Sequence, residues 1–174
     1  MSKSQTRSKN SDRAHPRAQE LQALLHSHTG HLVRRFQQIS VSMFLDVGRP
    51  YDLTPTQYAA MAAIAASPGC DQASIAGLAA LDRSTAGNVI AKLLRKGLVS
   101  RQPSRDDRRF MILALTPAGF RLLQKLQPIL AATNERMLQP LSAAERKQFV
   151  ALLARLVDVN NAASRAPLRS PRKA

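Results

Sequence analysis

The chain is poor in several things. It has one cysteine, eleven acidic residues against 26 lysines and arginines, seven glycines and an aromatic content of 4%. The single Cys70 excludes an internal disulfide framework and leaves no basis for a cysteine-rich zinc site. His26, His28 and His31 lack the i, i+4 spacing that puts two ligands on one helical turn, so no metal and no cofactor are expected. No apolar run approaches the roughly 20 residues needed to cross a bilayer, and no apolar segment follows the basic N-terminus. A cytoplasmic location is the expectation. With so few acids, most of them at helix caps or in one turn, and no glycine-rich loop, there is no nucleophile with a base, no carboxylate pair and no phosphate cradle. The chain does not read as an enzyme. Scarce aromatics also remove the anchors of a helix lying on a membrane.

What is abundant is positive charge. A net charge of +15 over 174 residues, with a pI near 11.5, calls for a polyanionic partner, nucleic acid first. Part of that charge sits at the ends. Residues 1–17 and 161–174 are basic, nearly free of acids and poor in apolar residues, and both read as disordered tails. The rest belongs to one domain over 18–160, long enough to bury a core.

Within it, Leu21, Leu24, Leu25, Leu32, Phe36, Ile39 and Met43 recur at helical spacing. One continuous helix over 18–45 would be about 40 Å long, too long to bury in one small domain, and points to a second chain. Thr54, Pro55 and Gln57 form a capping box with proline at the first helical position, and Pro68-Gly69 closes that helix. Asp71 and Asp82 cap the next two, the latter ending at Gly97. "LVSRQP" and "FMILAL" are β-compatible runs joined by the charged turn "SRDDRR". Thr116-Pro117 starts a helix to Leu138, and Ser142 with Glu145 caps a last one to about Val159. The predicted fold is mainly α, an α+β winged helix: a winged helix-turn-helix over 71–116 flanked by long helices in 18–50 and 117–160.

On the helix after Asp82, Ala86, Val89, Ile90, Leu93 and Leu94 share a face suited to burial. The opposite face carries Ser84, Thr85, Asn88, Lys92 and Arg95, small, polar or basic as a major groove requires. Arg83, Ser84, Thr85 and Asn88 lie in the first turns, where base edges are met, and Lys92 and Arg95 lie nearer phosphates. A solvated helix face would look similar, but the turn favours DNA. Arg105, Arg108 and Arg109 crowd its tip without packing benefit, whereas a narrow minor groove attracts an inserted arginine. Asp106 and Asp107 would orient their guanidinium groups, the alternative being a charged tip that only keeps the hairpin edge soluble.

"LTPTQYAAMAAIA", "DRSTAGNVIAKLLRKGLVSR" and "SRDDRRFMILALTPAG" resemble the MarR family of bacterial transcriptional regulators over about 21–159. The wing signature Asp-x-Arg falls on Asp107 and Arg109, and the "LT..G" signature on Leu115, Thr116 and Gly119. This resemblance implies a homodimer joined by its N- and C-terminal helices. It also implies an imperfect inverted-repeat operator in double-stranded DNA, repression, and release by a small aromatic carboxylate. Similarity to a subgroup governing catabolism of nicotinate-like acids is a further expectation. Candidate effector residues are His28, His31, Arg35, Tyr51, Tyr58 and Met61, with surface or salt-bridge roles as the alternative for the charged ones. The competing functional readings are a nonspecific architectural DNA binder and a redox-sensing regulator using Cys70.

Overall fold

The computed structural model describes residues 14–104 and 111–169. The helices are α1 (Ala14–Ser27), α2 (Thr29–Gly48), α3 (Pro55–Ala66), α4 (Gln72–Leu78) and α5 (Arg83–Arg95). An antiparallel hairpin of β1 (Val99–Pro103) and β2 (Met111–Leu115) follows, then α6 (Pro117–Met137) and α7 (Ala143–Val159). The chain divides into two compact units, 1–42 and 43–174.

Three expectations are corrected. The predicted single helix over 18–45 is two helices, separated at His28. Gly30 sits at the restart, where its backbone entropy weakens helix continuation, and the apolar stripe of the sequence runs on across the break. A disordered tail is expected over 1–17, but α1 already begins at Ala14. The segment after α7 is not a free tail either. A 3-10 turn over Asn161–Ala163 leads into a loop whose Arg169 N–H donates to the Gly77 carbonyl at 3.0 Å.

The core of the second unit joins Leu53, Met61, Ile64, Ile75, Ile90, Leu93, Val99, Leu113 and Leu126, all nearly or wholly removed from solvent. Each such side chain contributes about 1.5–3 kcal/mol by burial. Local chemistry sets the ends of the elements. Thr54 and Gln57 close the predicted capping box on α3, and Ser142 and Glu145 do so on α7. Asp71 accepts the Ser74 N–H at 2.8 Å at the head of α4. Gly97, with φ +66, provides the left-handed exit from α5. The α4–α5 turn places Ala80 at φ +51 and closes with the Leu81 N–H on the Ala76 carbonyl at 2.8 Å.

The join between hairpin and α6 explains the Thr116 and Gly119 pair. Thr116 donates its N–H to the Leu98 carbonyl (3.1 Å) and its hydroxyl to the Gly97 carbonyl (2.7 Å), while its Oγ1 accepts the Gly119 N–H. Gly119 is buried against Leu98, and a Cβ there would lie 2.0 Å from the Leu98 carbonyl oxygen. The hairpin is thus pinned to the start of α6.

Candidate nucleic-acid interface

The exposed face of α5 begins with its cap. Asp82 accepts the Thr85 N–H at 2.8 Å and the Thr85 hydroxyl at 2.6 Å. The Thr85 hydroxyl, and then its N–H, holds the Asp82 carboxyl below the usual carboxylate range. Thr85, predicted as a DNA contact, therefore spends its hydroxyl proton on the helix start and is a positioning residue in this arrangement.

Below the exposed face, Ala86, Val89, Ile90 and Leu93 are buried, fixing the rotation of α5 about its axis. Arg83, Ser84, Asn88, Lys92 and Arg95 are all exposed on the other side. That surface carries donors at its head and cations toward its end. α4 packs against α5, and the Asp71 backbone bridges Ile112 while the Leu113 N–H donates to the Cys70 carbonyl at 3.0 Å. Cys70 is half-buried, and its backbone carbonyl joins the loop before α4 to the hairpin edge.

Two open clefts flank α5. One, of about 370 Å³, lies between Gln72, Ala73, Ala76, Arg83, Arg101 and Met111. It brings Arg101, which is not among the predicted contacts, to the same cleft as Arg83. The β-strand assignment of "LVSRQP" could have found it, since an exposed arginine on a wing strand beside the reading helix is a backbone-contact candidate. The other cleft, of about 350 Å³, is lined by Asp52, Thr54, Gln57, Lys92, Arg95 and Lys96. Here Lys96 bonds the Asp52 carboxylate at 2.9 Å, the Asp52 carbonyl, and the Gln57 side-chain oxygen at 3.2 Å. This pairing lowers the Asp52 pKa and ties the end of α5 to the start of α3. The sequence alone does not reveal it, because its partners lie far apart in the chain. Arg105, Asp107, Arg108 and Arg109, the predicted wing contacts, lie outside the described residues.

The effector candidates separate. In the first unit, His28 and Arg35 are exposed and His31 is half-buried. Loss of solvent around its ring, then the Arg34 guanidinium, lowers the His31 pKa and leaves it neutral at pH 7. In the second unit, Tyr51 lies under the Lys125 ammonium, 5.2 Å from the ring centre, and Tyr58 meets Phe44 edge to face at 5.9 Å. Burial raises the Tyr58 pKa, so the phenol stays a donor. Met61 is fully enclosed in the core and packs it rather than offering a surface to a ligand. Among the described residues, no group of three His, Cys, Asp or Glu is placed to hold a metal. None of the described helices is long and apolar enough to cross a membrane.

The acid caps give a pH prediction. Asp52, Asp82 and Glu145 all have folded pKa values below their ordinary ones. Their contribution is complete above the unfolded carboxylate range and is lost as pH falls through the folded values. Asp82→Asn keeps a capping oxygen but no charge. Its stability deficit in urea melts should therefore shrink as pH drops from 6 toward about 3; a pH-independent deficit would mean that the charge at Asp82 does no stabilising.

A short helix, a turn, an amphipathic helix with a polar outer face and an antiparallel hairpin define a winged helix-turn-helix DNA-binding protein. The MarR family profile matches residues 53–110. Transcriptional regulator HosA of Escherichia coli O157:H7 is 35% identical over 107 residues, 62% of this chain and 79% of HosA. The transcriptional repressor NicR of Pseudomonas putida is 29% identical over 129 residues, 74% of this chain and 82% of NicR. A solved structure of Bordetella bronchiseptica BpsR, whose DNA binding is regulated by 6-hydroxynicotinic acid, aligns with TM-score 0.71 at 28% identity, covering 76% of this chain and 94% of BpsR. The chain belongs to the MarR family and is a transcriptional regulator.

Proposed function

We propose that the chain is a repressor that binds an imperfect inverted-repeat operator as a homodimer and leaves it when a small aromatic carboxylate binds. The observation that carries this reading is the division of α5, buried along Ala86, Val89, Ile90 and Leu93 and exposed along Arg83, Ser84, Asn88, Lys92 and Arg95. Two such helices in a dimer meet successive major grooves about 34 Å apart, which is why the operator is an inverted repeat. Dimerisation has a physical cause in α7, where Val150, Leu152, Leu153, Leu156 and Val157 are exposed. A second copy would cover that row.

The effector class rests on two kinds of support. BpsR and NicR are relatives, one regulated by a hydroxylated nicotinic acid and the other a repressor. In this chain, Tyr51 and Tyr58 offer ring surfaces with phenol donors, and Lys125, which only the fold brings forward, adds a cation beside Tyr51. An aromatic acid needs both features, a ring wall and a charge-assisted partner for its carboxylate. His28, His31 and Arg35 lie in the first unit and are separate candidates, with surface or salt-bridge roles as the alternative.

The test is a titration of nicotinic, hydroxynicotinic and hydroxybenzoic acids against the protein bound to DNA from its own promoter region, followed by fluorescence anisotropy. Release by one acid at concentrations where the others do nothing supports the reading. Retention under the whole panel removes the aromatic-acid effector. At the wing, Arg109→Ala is expected to weaken operator binding by about 1–3 kcal/mol with the dimer intact, measured beside Arg108→Ala at matched salt.

A further inference from the structure

We propose that residues 160–169 form a strap that couples α7 to the first helix of the helix-turn-helix by docking on α4 at Gly77. The strap is internally organised from its start. The Asn160 side chain donates to the Leu156 carbonyl at 2.8 Å, closing the end of α7. Asn161 then holds both backbone polar groups of Leu168: its Nδ2 donates to the Leu168 carbonyl (2.9 Å) and its Oδ1 accepts the Leu168 N–H (2.8 Å). The Ala166 N–H donates to Ser164 Oγ at 3.1 Å inside the loop so formed. This arrangement presents the next residue, Arg169, to α4, where its N–H donates to the Gly77 carbonyl at 3.0 Å.

Gly77 is why the contact fits. It is buried, and a Cβ at that position would lie 3.0 Å from the Arg169 Cβ, an atom held by backbone rather than at the end of a flexible chain. A glycine inside a helix is unfavourable relative to alanine, and α4 has only seven residues, too few to be stable without neighbours. The strap supplies one of those neighbours at the end of α4, where the Gly77 carbonyl otherwise accepts only N–H groups of the closing turn, that of Ala80 at 3.3 Å among them. α7 carries an exposed apolar row, so whatever covers that row sets where α7 lies, and the strap passes that position to the reading head.

Neither test substitution changes a charge, so counterion release is untouched. Asn161→Ala opens the loop, and Gly77→Ala favours α4 as a helix while forcing Arg169 back by a few tenths of an ångström, which loosens its hydrogen bond to Gly77. Hydrogen exchange followed by mass spectrometry on the full chain reads the docking and needs no DNA. The Leu168 and Arg169 amides are expected to exchange about tenfold faster in Asn161→Ala than in wild type, with faster exchange in α4 and unchanged exchange at Leu93 in α5. Gly77→Ala should accelerate Arg169 likewise, while Leu168, whose N–H is held by Asn161, stays as in wild type. Equal strap exchange in wild type and both variants overturns the docking. Faster strap exchange with α4 unaffected overturns the coupling. Where operator DNA is in hand, the Asn161→Ala variant should bind it about threefold to tenfold more weakly at the same salt slope, since a loosened lobe has more freedom to lose on binding.

Discussion

Gly119→Ala should destabilise the protein by about 3 kcal/mol or more, lowering Tm by roughly 6–12 °C. The reason is local and steric. The added Cβ would fall 2.0 Å from the Leu98 carbonyl oxygen, a backbone atom that accepts the Thr116 N–H and cannot move without breaking the hairpin-to-α6 join. Gly97→Ala is the matched comparison. Gly97 has φ +66, and a Cβ added there would meet nothing within 4 Å, so its cost is only the left-handed backbone, about 1–2 kcal/mol. Calorimetry on the two variants separates overlap from backbone strain. A Gly119→Ala protein melting within two or so degrees of wild type would mean that α6 can slide off Leu98 and that the join does not pin the hairpin.

The second large effect is on DNA discrimination. Arg83→Ala and Asn88→Ala are each expected to lose about 1–3 kcal/mol of preference for the operator over scrambled DNA, because both side chains are exposed in the first turns of α5 above a buried stripe. Lys92→Ala and Arg95→Ala should behave differently. They line the cleft with Lys96 at the far end of α5, and their loss should weaken binding to every sequence while reducing the salt slope by about one each. Thr85→Val should cost stability more than discrimination, since the Thr85 hydroxyl is bonded to Asp82. Titrations against both DNAs at several salt concentrations distinguish these outcomes. If all four charged or amide variants changed only overall affinity, the face would be an electrostatic surface rather than a reader.

What can be read from the sequence is local. Thr54 with Gln57, Asp71, Asp82, Thr116 and Ser142 with Glu145 act within three residues of themselves, and every one caps the helix that its spacing predicts. The buried stripe of α5 is equally legible, because burial follows the 3.6-residue period. The break at His28 is not, since the apolar spacing continues through it and only Gly30 marks the place. Contacts between distant segments are invisible for a different reason. Lys96 on Asp52, Lys125 over Tyr51, and Arg169 on Gly77 each need the fold before the partners meet. Met61 shows the opposite error: a methionine suited to a ligand wall is equally suited to a core, and the packing of α3 places it in the core.

The measurement closest to the central claim is sequencing of fragmented genomic DNA retained by the purified protein at moderate salt, with and without aromatic acids. A specific regulator should enrich an inverted repeat with half-sites about one helical turn apart near a few promoters, and lose it when the right acid is present. Uniform recovery of all fragments, whatever their sequence, would contradict that and leave the charge of +15 as the whole basis of binding.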